Sequence, residues 1–199
     1  GVTGRAWRTM EAALRADGVL PGAVVDPAFY HLPPGSRPES GLLALRKGLG
    51  VFANLRPAKT WPGLEDAGPL KANILAGTDM IVVRELLGGL YYGEPREWNR
   101  TTNEAVNTLR YSRPEVERVA RVAFDLARQR RRKLVSVDKA NVLETSQLWR
   151  AEVNKNVKAY LDVQVSHEYF DACAMMLACE PNYFYVLLVE NLFSAILFQ

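Results

Sequence analysis

Sulfur and imidazole are scarce in this chain. Two cysteines and two histidines in 199 residues are too few for a disulfide scaffold, and their spacing is not that of a zinc site. Cys173 and Cys179 lack a CxxC spacing and fall around the apolar stretch Ala172 to Ala178, so they read as reduced thiols packed in a cytosolic core. An excess of one charge is lacking too. Against 25 Lys and Arg stand 22 Asp and Glu, a formal charge of +3, which by itself points neither to nucleic acid nor to an anionic membrane. A spanning helix needs roughly 18–20 apolar residues; Tyr183 to Phe198 is shorter and is interrupted by Glu190 and Asn191. The opening GVTGRAWRTMEAALRADG has no apolar core of the kind a signal peptide carries. The chain starts at Gly1 without methionine and stops at Gln199 inside an apolar segment, from which a piece of something longer is expected.

What is present is ample apolar material, 48% of residues, and a chain of this size buries about 70% of its unfolded surface. Apolar runs of strand length alternate with helix-period segments, which predicts an α/β architecture. A helix is expected over Thr9 to Asp17, a strand over Gly18 to Val25, a long proline-rich loop over Asp26 to Ser40 and a helix over Gly41 to Gly48. A strand over Val51 to Arg56 is expected to stop at Pro57, and another spans Met80 to Arg84. The glycines of Leu87 to Pro95 suggest a β-arm or hairpin. Ser112-Arg-Pro-Glu115 supplies an N-cap, a first-turn proline and a capping-box glutamate for a helix over Arg113 to Arg131. Strands at Lys133 to Val137, Val163 to Tyr169 and Phe184 to Val189 then alternate with helices at Glu144 to Tyr160 and Asp171 to Cys179, a parallel crossover pattern, with a further helix starting after the last strand.

Three arginines stand at or beside element ends: Arg46 on a helix, Arg56 and Arg84 closing strands. Planar guanidinium forks at several angles suit a substrate with two carboxylates, although three surface or salt-bridged arginines give the same spacing. Lys139 and Asn141 follow a buried strand, the usual place for a site in an α/β sheet. Lys139 fits a tunable acid/base group, or simply a solvated lysine. His167 reads as a packed strand residue, and His31 as a solvated loop residue. Met175 and Met176 read as core filler or dimer interface. The run Arg128-Gln-Arg-Arg-Arg-Lys133 complements the dipole of the helix it closes, so nucleic acid is not an expected partner.

The segments Arg37-Pro-Glu-Ser-Gly-Leu-Leu-Ala-Leu-Arg-Lys47, Phe52-Ala-Asn-Leu-Arg-Pro-Ala-Lys59 and Val83-Arg-Glu-Leu-Leu-Gly-Gly-Leu-Tyr-Tyr-Gly-Glu-Pro-Arg96 carry a resemblance, together with Tyr111-Ser-Arg-Pro-Glu115, Ser136-Val-Asp-Lys-Ala-Asn-Val-Leu-Glu144 and Glu190-Asn-Leu-Phe193. From about residue 10 onward the chain resembles the isocitrate/isopropylmalate dehydrogenase family of NAD-dependent oxidative decarboxylases, most closely its 3-isopropylmalate branch in leucine biosynthesis. The resemblance implies an α/β fold with a partial first domain (1–56 and 184–199) and a nearly complete second, dimer-forming domain with a β-arm (57–183). It implies that Arg46, Arg56 and Arg84 clamp the malate carboxylates and that Tyr91 protonates the enol. Lys139 would take the hydroxyl proton, and Asn141 would face the nicotinamide of NAD. Glu39, Leu42 and Leu43 would select the isopropyl group, and Asp171 would bind Mg²⁺ or Mn²⁺. It further implies a cytoplasmic homodimer acting on 3-isopropylmalate, with Lys139, Asn141 and Asp171 reaching the partner's site, and neither nucleic acid nor membrane as partner.

The chain also departs from that pattern. Where the family has two further metal aspartates, this sequence has Ala195 and Gln199, and Ser194 replaces a glycine. A hard divalent cation wants several charged oxygens, so Asp171 alone is not expected to hold one tightly. Leu20-Pro-Gly-Ala-Val-Val-Asp26 lacks two glycines found in relatives, and the family's glycine-rich N-terminal turn and adenine-facing loop are missing. The isolated chain is therefore expected to be inactive. The alternative is a degenerate, non-catalytic relative that only dimerises.

Overall fold

The clearest element shows how the sequence sets local structure. In α4 (Arg113–Gln129) the Glu115 carboxylate accepts from the Ser112 N–H at 2.7 Å and from its hydroxyl at 2.6 Å. Pro114 sits in the first turn, where no N–H is needed. Val116, Val119, Ala120, Ala123, Phe124 and Ala127 form one fully buried stripe. In the computed structural model, which describes residues 3–22, 24, 26–33, 36–65 and 67–198, the chain divides into two compact units, Gly1–Val51 and Phe52–Gln199.

The first unit holds α1 (Thr3–Arg15), a 3₁₀ turn at Pro27–Phe29 and α2 (Pro38–Leu49). The helices approach so closely that a Cβ at Gly48 would lie 2.5 Å from the Met10 methyl. The strand expected over Gly18 to Val25 is not formed by the described residues there, and Ala23 and Val25 lie outside them. Pro21 removes a ladder donor, and Leu20 is 98% exposed, so no core rewards an extended pairing.

The second unit is a five-stranded sheet in the order β1-β2-β7-β5-β6. Its strands are β1 (Ala53–Lys59), β2 (Asp79–Glu85), β5 (Lys133–Asp138), β6 (Gln164–Tyr169) and β7 (Val186–Val189). A short helix α3 (Ala72–Leu75) precedes β2, and β1 runs antiparallel to it; β2, β7, β5 and β6 are mutually parallel. The crossover helices are α4 and α5 (Glu144–Val157), then α6 (Phe170–Cys179), with α7 (Asn191–Leu197) following β7. Strand alternation divides the core. Val83, Leu134, Val186 and Leu188 meet α4 and α5, whereas Met80, Val82, Val137 and Val189 meet Cys173 and Phe193 of α6 and α7.

Three expectations change here. β1 continues through Pro57, which faces Ile81, because β1 is an edge strand and needs hydrogen bonds on one side only. Leu87 to Pro95 is not the hairpin. It forms a 3₁₀ turn at Gly89–Tyr91, and the two-stranded arm follows as β3 (Arg96–Asn99) and β4 (Glu104–Asn107), exposed throughout. Cys173 is buried, its thiol pushed up to about 12 by burial, but Cys179 is exposed at the end of α6 rather than packed. No described helix is long and apolar enough to cross a membrane.

Candidate active site

Parallel strands place their C-terminal ends along one edge of the sheet, and the polar residues of this unit gather there. Arg84 pairs in register with Val189, and Val189 with Val137, so Arg84, Glu190 and Lys139 all stand at that edge. Across the antiparallel pair Asn54 lies opposite Arg84, and Arg56, two residues on, shares the face of Asn54. The Arg56 guanidinium donates to Asn54 Oδ1 at 2.7 Å and to the Phe198 carbonyl at 2.8 Å. Arg84 is 6% exposed; its Nε and Nη2 donate to Asn191 Oδ1 at 3.0 and 2.8 Å, and its guanidinium carbon lies 5.9 Å from the Tyr91 ring centre. The structure thus brings Arg56, Arg84 and Tyr91 to one corner.

The turn carrying Tyr91 is held by side chains rather than by a partner strand. Glu85, fully buried on the α4 side of the sheet, accepts from the N–H groups of Leu87 and Gly88 at 2.9 and 2.8 Å. The Tyr111 hydroxyl donates to Glu85 at 3.3 Å and accepts from the Asn191 N–H at 3.0 Å. Burial raises the carboxyl of Glu85 against the pull of those two N–H groups and of Arg118, and it pushes Glu190 up to about 7. The Tyr111 hydroxyl is raised well above its usual range by burial and by the two carboxylates. Gly88 is required by this packing, since a Cβ there would lie 2.6 Å from Tyr111 Cε1 and 3.1 Å from Glu85 Oε2. Gly88→Ala is expected to cost about 1–3 kcal/mol, read as a lower urea midpoint, whereas Gly68→Ala, where a Cβ meets nothing within 4 Å, serves as the neutral comparison.

Lys139 and Asn141 sit on the turn after β5. Asp138, 1% exposed, caps that turn by accepting from the Ala140 N–H at 2.9 Å and is gripped by Arg150 through two bonds of 2.8 and 2.9 Å. Asn141 is exposed. Lys139 Nζ donates to Asp171 Oδ1 at 2.6 Å, and that bond is the first cause of the lowered Asp171 carboxyl. His167 is half-buried, bonded to Asn154 at 2.8 Å, with its ring lowered by burial and by Arg150. His31 is exposed. In the first unit Glu39, Leu42, Leu43 and Arg46 recur at helical spacing along one side of α2 and are half-buried. The basic run is largely engaged: Arg128 forks onto Asp162, Arg130 pairs with Asp79, and Arg131 stacks on Tyr185.

A divalent cation does not fit the donors present. Asp171 has an ammonium as its immediate partner, Ala195 on α7 is buried and offers no oxygen, and Gln199 lies outside the described residues. Among the described residues no three His, Cys, Asp or Glu side chains come together as a metal site. For NAD, one exposed amide, Asn141, does not make a dinucleotide site. Sequence reasoning passed over Glu85, Tyr111, Asp138, Arg150 and Asn191. The signal available was the polar pair Glu190-Asn191 inside an apolar run, which in a soluble protein means buried polar groups with buried partners.

Fold and site together define an α/β protein with arginines and a tyrosine gathered at the C-terminal edge of a mostly parallel sheet. Residues 6–198 match the family model described as isocitrate/isopropylmalate dehydrogenase, and the chain belongs to that family. A 3-isopropylmalate dehydrogenase of Parasynechococcus marenigrum (strain WH8102) is 52% identical over 191 residues, covering 95% of this chain and 54% of that protein. One from Aquifex aeolicus (strain VF5) is 48% identical, covering 95% and 52%. The crystal structure of isocitrate dehydrogenase from Methylococcus capsulatus superposes with a TM-score of 0.72 at 33% identity, covering 83% of this chain and 48% of that one. The chain thus spans about half the length of the curated relatives it matches.

Proposed function

We propose that this chain is the substrate-clamping and dimer-forming part of a 3-isopropylmalate dehydrogenase of leucine biosynthesis, and that these 199 residues alone do not turn over. The observation that carries the reading is the corner where Arg56 and Arg84 share a sheet face beside Tyr91, in a chain about half identical to proteins named for that activity. In a complete protein a bound NAD would supply the oxidising power for an oxidative decarboxylation, which leaves an enol to be protonated. These residues bind and orient. Arg56 and Arg84 hold carboxylates by charge-assisted forks, and the family resemblance assigns Arg46 of α2 the same task. Leu42 and Leu43 beside Glu39 receive the isopropyl group, whose loss or misfit costs about 1–3 kcal/mol per group. Tyr91 delivers a proton to the enol carbon, and Lys139, as the neutral amine, receives the C2 hydroxyl proton. Asn141 is assigned to the nicotinamide side and Asp171 to the metal; this chain's donors do not complete either site, so no step is assigned to them.

The family resemblance supports a homodimer in the cytoplasm, with domains at 1–56 plus 184–199 and at 57–183. Helix α6 favours that assembly, because Met175 is 64% exposed on a helix that is apolar nearly all round. The same exposed helix, together with Ala195 on α7 in place of a metal aspartate, favours the second reading, a relative that dimerises without catalysis.

Both readings meet in one pair of measurements on the purified chain. NADH formation from 3-isopropylmalate, NAD⁺ and Mn²⁺ is expected to stay at the level of a Lys139→Ala control. Millimolar 3-isopropylmalate is nonetheless expected to raise the melting temperature, since a ligand that binds only the folded state stabilises it. A robust Mn²⁺-dependent rate overturns the inactivity; an unmoved melting temperature overturns the clamp and leaves the dimer-only reading.

A further inference from the structure

We propose that Asn191 is a positioning residue: its carboxamide fixes the guanidinium of Arg84 to the turn that carries Tyr91, and it does so without cancelling the arginine's charge. The proposal rests on the clamp reading above and extends it to a residue that touches no substrate.

Asn191 begins α7 directly beyond β7 and is 1% exposed. All its polar capacity is used. Oδ1 accepts from Arg84 Nε and Nη2 at 3.0 and 2.8 Å, while Nδ2 donates to the carbonyls of Leu86 and Gly88 at 3.2 and 3.1 Å. Its backbone N–H donates to Tyr111, which donates to Glu85, which in turn accepts the N–H groups of Leu87 and Gly88. One side chain therefore binds a guanidinium on one edge and two loop carbonyls on the other. Reversing the amide would set donors against donors and carbonyl against carbonyls, so its orientation is determined.

The consequence for a carboxylate ligand is geometric. An arginine side chain has many rotamers to lose on binding, and one held at Nε and Nη2 presents a single fork direction before any ligand arrives. Charge decides why the holder is an amide. An aspartate at this position would make the same two contacts but place a carboxylate on the guanidinium, competing with the ligand's own. A neutral oxygen orients the fork and adds no counter-charge of its own.

The test separates orientation from charge. In ¹⁵N spectra of the full chain the Arg84 Nε–H is expected to exchange slowly, and at least tenfold faster in Asn191→Ala. The Trp149 Nε1–H, bonded to Ser136, reports whether the fold is intact. Asn191→Asp keeps the acceptor for Arg84 but adds a carboxylate and loses the bonds to the Leu86 and Gly88 carbonyls, and it is expected to keep the Arg84 Nε–H protected yet weaken 3-isopropylmalate binding by calorimetry at least tenfold. Unchanged protection in Asn191→Ala overturns the proposal, as does parent-like binding by Asn191→Asp. Should Asn191→Ala lose the Trp149 signal, Asn191→Ser takes its place in the exchange measurement. If the parent chain binds no 3-isopropylmalate, the clamp reading falls, and the exchange of Arg84 alone decides whether Asn191 positions it.

Discussion

Glu190→Gln is expected to stabilise the protein at pH 8 by on the order of 3 kcal/mol while changing little at pH 5. Glu190 is 5% exposed at the C-terminal end of β7, and burial lifts its carboxyl from 4.5 to about 7, with Glu85 adding to the lift and the Phe193 N–H and Tyr111 opposing it. Of the charged groups facing Glu85, Arg118 at 3.7 Å pulls its carboxyl down and Glu115 pushes it up. Between 4.5 and about 7 the folded chain retains a proton that the unfolded chain has released. Stability is therefore greatest on the acid side of this window, falls as pH rises through it, and levels off above about 7. Glu85, also raised by burial, contributes in the same direction. Glutamine keeps an acceptor of the same shape and abolishes the titration. Urea unfolding of parent and variant at pH 5 and pH 8 measures this directly; equal pH slopes in the two proteins would falsify the assignment.

Arg150→Ala acts at the other end of the edge and is expected to cost about 3 kcal/mol, the lower part of the range for stranding one member of a buried ion pair. Asp138 is the buried member at 1% exposure, while the Arg150 side chain is 29% exposed. The loss leaves the carboxylate with the Ala140 N–H and with His167, whose Nδ1 lies 3.9 Å away. His167 is at present lowered by burial first and by Arg150 second, against the pull of Asp138. With Arg150 gone its ring pKa is expected to rise. A histidine raised in the folded state stabilises below its unfolded pKa, and that gain disappears as pH climbs through the folded value. The deficit of Arg150→Ala is accordingly expected to be smaller at pH 5.5 than at pH 8. Arg150→Lys keeps the charge without the fork and should fall between. Proton NMR titration of His167 and denaturation at the two pH values check both halves; an unmoved ring titration would show that Asp138 is screened by other groups.

The elements legible in advance were those whose own residues decide them. α4 carries its start signal and its apolar stripe in contiguous sequence, β5 and β7 are largely apolar runs, and the segment around β6 alternates Val163, Val165, His167 and Tyr169 with polar residues, so all four stand within a few residues of expectation. Pro57 misled because its cost depends on which side of a strand has a neighbour, and that is a property of sheet order. The turn at Leu87 to Pro95 misled in the opposite sense. Its glycines reflect the Tyr111 ring lying against Gly88 and Gly89, not the needs of a hairpin.

By itself the sequence determined the family, the α/β class, the parallel strands and longer helices of the second unit, and the candidate groups Arg56, Arg84, Tyr91, Lys139, Asn141 and Asp171. Residue types and local spacing carry that information, because capping, periodicity and motif chemistry act over a few neighbours. Only the tertiary structure decided that Asn191 grips Arg84 across 107 positions, that Glu85 and Tyr111 support the Tyr91 turn, and that Asp138 with Arg150 holds the Lys139 turn. Those groups are polar and buried, and a buried polar group must find its partner wherever the fold places one.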